Sequence, residues 1–165
     1  MNGSRLITHL FATRRALRSA FNEPVLTAIE QAVHAAESRH CGEIRFAIEG
    51  ALHASAVCRG VTAAEQAQRV FAELGVWDTE LNNGVLVYVL LADRAVEIVA
   101  DRGFAGRVAP DEWRVACSAM EKEFLQGRFL KGAAAGIEAV GQILTRHFPA
   151  AAGDRNELPD RPVLL

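Results

Sequence analysis

The sequence predicts an α/β domain in which a mixed sheet lies between helical layers, and three observations carry that prediction. Stretches of helical and of strand periodicity alternate along the chain. Residues 84–91 are apolar on both faces of a strand, a pattern suited to a strand covered on both sides. The 165 residues amount to one domain at ~150 residues each, enough to bury a core without disulfides.

Taken in order, residues 1–21 form a basic N-terminal helical arm. They hold Arg5, Arg14, Arg15 and Arg18 and no acid, which leaves 14 basic and 20 acidic residues for the rest of the chain. On one continuous helical wheel Arg14 and Arg18 fall inside the apolar arc of Leu6, Leu10, Leu17 and Phe21, which argues against a membrane-surface helix. The arm is therefore expected to dock on its own domain or on a protein partner through Leu10, Phe11, Leu17 and Phe21, with its arginines reaching acids on the net-acidic body. The domain proper spans 22–149. Asn22 suits an N-cap with Pro24 in the first turn, and Val25, Ile29, Ala32, Val33 and Ala36 recur at helical spacing. His40-Cys41-Gly42 ends that helix. From Glu43 to Glu49 the period becomes two, with Ile44, Phe46 and Ile48 on one face.

Thr62 and Glu65 form a capping box that opens a helix with Ala63, Ala67, Val70, Phe71 and Leu74 inward. Residues 76–83 are a loop, 84–91 a central strand, 92–94 a turn and 95–100 the returning arm of a hairpin. A helix begins near Pro110, with Trp113, Cys117, Met120 and Phe124 along its stripe. A last helix covers 129–147 with Phe129, Ala133, Ile137, Val140 and Leu144 inward. Pro149, Pro159 and Pro162 predict an extended or loosely docked tail over 150–165. A parallel crossover joins strands 43–49 and 84–91, so both start at one rim, where antiparallel 95–100 ends. Glu43, residues 78–83 and Asp101-Arg102 are expected to meet there, and Glu49, Asp93 and Arg94 to gather at the opposite rim as a solvated turn.

Composition excludes several function classes. Half the residues are hydrophobic and 23% are charged, which excludes intrinsic disorder. The longest apolar run, Val85 to Ala92, is about half the ~18 residues of a membrane helix. A net charge of −2 excludes a general nucleic-acid clamp. Leu6 to Phe11 is too short and polar for a signal-peptide core. Cys41, Cys58 and Cys117 are odd in number and form no CxxC pair, as expected of reduced thiols in a cytoplasmic protein.

No phosphate loop, HExxH, GxSxG or EF-hand spacing occurs. His40 beside Cys41 and near Glu43 could activate a thiol, or His40 could simply pack at the helix end. Zinc on His40, Cys41 and Cys58 has no supporting spacing. The acidic rim offers oxygen ligands for a hard cation: Asp78, Asn82, Asn83 and Asp101, with Glu80 in the same loop and Glu43 near enough to add charge. The same residues can be read structurally, Asp78 as a turn cap, Asn83-Gly84 as a source of positive φ, and Asp101 as a partner of Arg102 or Arg94. Arg102 could also make the rim an anion site. Trp77 is either a packing residue or an exposed contact.

The run Val76 to Gly103 resembles the TPM domain family in three elements: Asn83-Gly84 opening an apolar strand, the Asp93-Arg94 turn, and Glu97-Ile98-Val99 leading to Gly103. His40-Cys41-Gly42-Glu43 and the tail Asn156 to Asp160 are similar in particular to the small soluble bacterial branch of that family. The resemblance covers residues 22–148. It implies a three-layer α/β/α sandwich, divalent-cation binding as in some members, and the acid-phosphatase activity attributed to some plant members. Members often carry a signal peptide and a membrane anchor, and neither is expected here. Three functions follow as expectations. One is a cytoplasmic module that binds calcium or magnesium and works through a protein partner, a membrane protein among the candidates, without nucleic acid or direct membrane insertion. The others are a metal-assisted phosphatase using the Asp78/Asp101 rim and an inert interaction domain.

Overall fold

The computed structural model describes residues 3–12 and 14–165, so Met1, Asn2 and Thr13 of the predicted arm lie outside the described residues. Strands β1 (Glu43–Glu49) and β2 (Gly84–Leu90) run parallel, with Glu43 opposite Gly84 and Glu49 opposite Leu90. β3 (Ala95–Ala100) returns antiparallel to β2. A short strand from the tail, β4 (Val163–Leu164), lies parallel to β1 at Ala47 and Ile48. The sheet order is β3-β2-β1-β4.

The pattern of apolar residues explains why this sheet sits between two helical layers. Ile44, Phe46, Ile48, Val85, Val87 and Val89 share one core with helices α3 (Glu23–Glu37), α6 (Pro110–Phe124) and α7 (Phe129–His147). Ala47, Leu86, Tyr88 and Leu90 face the other core with α4 (Ala54–Cys58), α5 (Ala63–Glu73) and Leu158 of the tail. Every residue of β2 is buried, as a central strand with two covered faces requires. The expected α/β/α sandwich with a mixed sheet is the fold.

Local signals also hold. The Asn22 side chain accepts from the Val25 N–H at 3.1 Å, and the Thr62/Glu65 capping box opens α5. Gly84 is needed for close approach: a Cβ there would lie 1.9 Å from the Val76 carbonyl oxygen. Positive φ falls instead on Asn82 (52°) and Arg94 (53°), so the Asn83-Gly84 reading of the turn is corrected.

Three features differ from expectation. The arm is two helices, α1 (Gly3–Phe11) and α2 (Arg14–Ala20), interrupted at Ala12. Leu17 and Phe21 are buried and Arg5 reaches Asp93 on the body together with His9, whereas Leu10 and Phe11 are exposed. Residues 54–58 add a short helix that no periodicity announced. The tail is extended but tightly held. Arg45 Nη1 donates to the carbonyls of Pro159 (2.7 Å) and Arg161 (2.6 Å), and Arg161 pairs with Glu23 and Glu30.

Candidate functional site

The two rims are built as the topology demands. At the end where β1 and β2 begin, Glu43 N–H donates to Asn83 O (3.3 Å), Asp101 N–H to Gly84 O (2.9 Å) and Gly103 N–H to Asn82 O (2.9 Å). The backbones of Glu43, Asn82, Asn83 and Asp101 therefore converge. The side chains of Asn82 and Asp101 both meet Arg102, whereas those of Asn83 and Glu43 take other partners. Asn82 Oδ1 accepts from Arg102 Nε at 2.7 Å, which occupies part of that guanidinium. Asp101 Oδ1 accepts from the Arg102 N–H at 2.7 Å, while its Oδ2 is buried with no donor. Asn83 is fully buried; its amide donates to the Cys41 carbonyl, its backbone N–H donates to Thr79 Oγ1, and its Oδ1 has no donor. Asp78 is exposed, its backbone N–H on Gly75 O. Trp77 is 52% exposed, which favours the contact reading over packing.

Glu43 points elsewhere. Its carboxylate accepts from the Leu158 N–H at 3.0 Å and borders a cavity of about 300 Å³ beside the open edge of β1. His34, Glu37, His40, Asp154 and Asn156 also line that cavity, and no lysine or arginine does. Glu37 ends α3, where its Oε1 accepts from the Ile44 N–H at 2.8 Å and so caps the unpaired edge; Oε2 is buried without a donor. Burial, reinforced by the charges of Glu43 and Asp160, pushes the Glu37 carboxyl up to about 9. Burial also raises Glu43, with Glu157 and Asp154 adding repulsion. His40 is 1% exposed with both ring nitrogens unpartnered, and burial holds it below its ordinary value. Asp160 joins the group through His34 (3.1 Å) and Asn156. Among the described residues, no three His, Cys, Asp or Glu side chains are already gathered as metal ligands.

The thiol alternatives are resolved by partners. Cys41 is buried, its Sγ donates to the Pro149 carbonyl at 3.1 Å, and burial raises it, so it is a packed thiol rather than an activated one. Burial pushes Cys117 up to about 12, and Cys58 is exposed.

The opposite rim is a clasp rather than a solvated turn. Arg5 grips Asp93 (Nη2–Oδ2 2.6 Å), and His9 Nε2 donates to Asp93 Oδ1 (2.9 Å) because its Nδ1 is taken up accepting the Leu52 N–H (3.0 Å). Burial alone would raise Asp93, but Arg5 and His9 hold it below its ordinary value. Glu49 accepts from Tyr88 Oη (2.6 Å) and Gln66 Nε2 (3.1 Å).

Sequence reasoning missed Glu37, Asp154 and Asp160. One signal was present: an acid in the last turn of a helix opposes the dipole and invites a local reason. The tail had none, since its bonds to His34 and Glu43 span more than a hundred positions.

The comparisons with known proteins agree with this architecture. The family whose model matches the chain is the TPM domain, over residues 18–143. The NMR structure of the BA42 protein from the psychrophilic bacterium Bizionia argentinensis is similar at 32% identity and TM-score 0.75, covering 86% of this chain and 93% of that one. The solution structure of the N-terminal domain of a P. gingivalis protein is similar in fold at 22% identity and TM-score 0.55, covering 73% of this chain and 76% of that one. No curated protein matches the sequence.

Proposed function

The chain belongs to the TPM domain family, and we propose that it is a divalent-cation-binding interaction module whose cation lies at the end of the sheet where β1 begins. One observation carries this reading. Glu37, Glu43 and Asp154 border a single cavity with no lysine or arginine to balance them, and two of the three carboxyls are raised. Carboxylates that raise one another's proton affinity are relieved by a divalent cation, which takes oxygen ligands from carboxylates, amides and carbonyls. Calcium or magnesium fits such a donor set better than zinc, which favours nitrogen and sulfur. Glu37 Oε2, Glu43, Asp154 and Asn156 Oδ1 are the candidate ligands. The sequence-derived set contributes through Glu43, and the donorless Asn83 Oδ1 and Asp101 Oδ2 are the alternative oxygens for a cation.

The partner-facing part of the reading rests on the loop before β2. Glu157 accepts from the Glu80 N–H at 3.0 and 3.3 Å, so the tail that borders the cavity also holds the loop that exposes Trp77 and Leu81. A cation that orders the tail thereby orders an apolar contact surface for a protein.

Thermal melting with and without calcium or magnesium tests the reading, because a ligand bound only to the folded state raises the midpoint. The wild type is expected to gain stability. Glu43→Gln and Glu37→Gln lose that gain if the cavity is the site, whereas Asp101→Asn loses it if the cation sits with Asn83, Asp101, Asn82 and Asp78. Glu73→Gln, an exposed acid on α5, is the control. No cation effect in any of them rejects the reading in favour of an inert interaction domain. Cation-dependent hydrolysis of p-nitrophenyl phosphate that Asp101→Asn abolishes replaces it with the metal-assisted phosphatase.

A further inference from the structure

The N-terminal arm leaves one surface without a partner in the fold. Arg5 and His9 fasten one side of α1 to Asp93, and Leu6 packs against the core behind α4. On the other side Ile7, Leu10 and Phe11, at i, i+3 and i+4, are 57%, 63% and 78% exposed. α2 follows at once with Arg14, Arg15 and Arg18, all exposed, and among the described residues none of them pairs with an acid. Phe11 borders a shallow depression with Thr8, Ala12 and Arg94, and no acid lines it.

We propose that this face of the arm docks on an anionic phospholipid surface. The apolar ridge alone would fit many partners; the charge selects among them. Arg94 borders the same depression as Phe11; Arg14, Arg15 and Arg18 follow on α2, and the arm contains no acid. Such a surface meets both needs: alkyl and phenyl groups enter the boundary between headgroups and acyl chains, and guanidinium groups pair with phosphates. The helical-wheel objection fails because the chain is not one helix. The break at Ala12 frees Arg14 and Arg18 from the arc they would share with Leu6 and Leu10. The clasp on Asp93 presents the ridge already ordered, so binding does not have to fold it. With nine residues, α1 lies on the surface and cannot span it.

Co-sedimentation of the full chain with phosphatidylcholine vesicles containing about one-third phosphatidylserine tests this. Binding is expected, with little to pure phosphatidylcholine, and it should weaken as salt rises. Leu10→Ser with Phe11→Ser, and separately the triple change of Arg14, Arg15 and Arg18 to Gln, should each weaken it at least roughly tenfold. The thermal midpoint of both variants should stay at the wild-type value, since every altered side chain is exposed. Absent binding, equal binding to neutral vesicles, or binding unaltered in both variants overturns the proposal. Self-association without vesicles that the Leu10/Phe11 variant abolishes also overturns it, and gives the ridge to a second copy of the chain.

Discussion

Burial pushes the Glu37 carboxyl far above the range of an ordinary glutamate. It is pushed up to about 9 from an ordinary 4.5, because burial and two neighbouring carboxylates oppose its charge. Between those values the unfolded chain has released a proton that the folded state keeps, so the stability of the cation-free protein should fall as pH rises through the window. Glu43 shifts in the same direction and adds to the slope. Asp93 has the opposite sign and acts lower: its contribution is present above its ordinary 3.8 and is lost as pH falls below it. Denaturant midpoints measured across the window with chelator present should therefore decline in the wild type and decline less in Glu37→Gln, which cannot titrate. Equal slopes in both would show that Glu37 is charged in the folded state. At this scale the sequence was only half legible. Topology placed Glu43, Asn83 and Asp101 together, but the directions of their side chains depend on single partners such as Leu158 N–H and the Cys41 carbonyl, which no spacing reveals.

Elements with a local signature were readable and elements with only a distant partner were not. α3 and α5 declare themselves by caps at Asn22 and Thr62, and β2 by its unbroken apolar run. β4 is two residues long, follows Pro162 and exists because β1 has an edge to fill, so nothing in its own sequence announces it. The same edge makes a test. Deleting residues 161–165 removes the β4 pairing, the Leu165 N–H bond to Ile48 O (2.9 Å) and the Arg161 pairs with Glu23 and Glu30. Exposed ion pairs contribute little, while each lost backbone bond costs about 1 kcal/mol, so a loss on the order of 2 kcal/mol is expected in urea unfolding. The bared edge of β1 should also cause concentration-dependent association, visible by sedimentation. A deletion that unfolds like the wild type and stays monomeric would mean that β4 contributes nothing to the sheet.

Across the whole molecule the two chain ends close opposite rims of one sheet. α1 clasps Asp93 where β2 turns into β3, and the tail covers Glu43 where β1 begins. The division into an arm, a domain over 22–149 and a tail follows composition, and the packing crosses both boundaries. Leu17 and Phe21 lie in the core beneath α3, α6 and α7, where Phe21 meets the rings of Phe124 and Phe129 at 6.1 and 5.2 Å. Leu158 lies in the other core with Val76 and Leu86. Removing three such side chains forfeits ~1.5–3 kcal/mol each. It also leaves Asp93 and Glu43 partly desolvated without their partners, a further loss of about 1–3 kcal/mol apiece. Against a typical net stability of ~5–15 kcal/mol, the sum is comparable to the whole. A fragment of residues 22–149 should therefore lack a cooperative thermal transition, and restoring residues 1–21 alone should recover it only in part. If the fragment instead melts cooperatively at the full-length midpoint, the arm and the tail are appendages, and both rims stay shut without them.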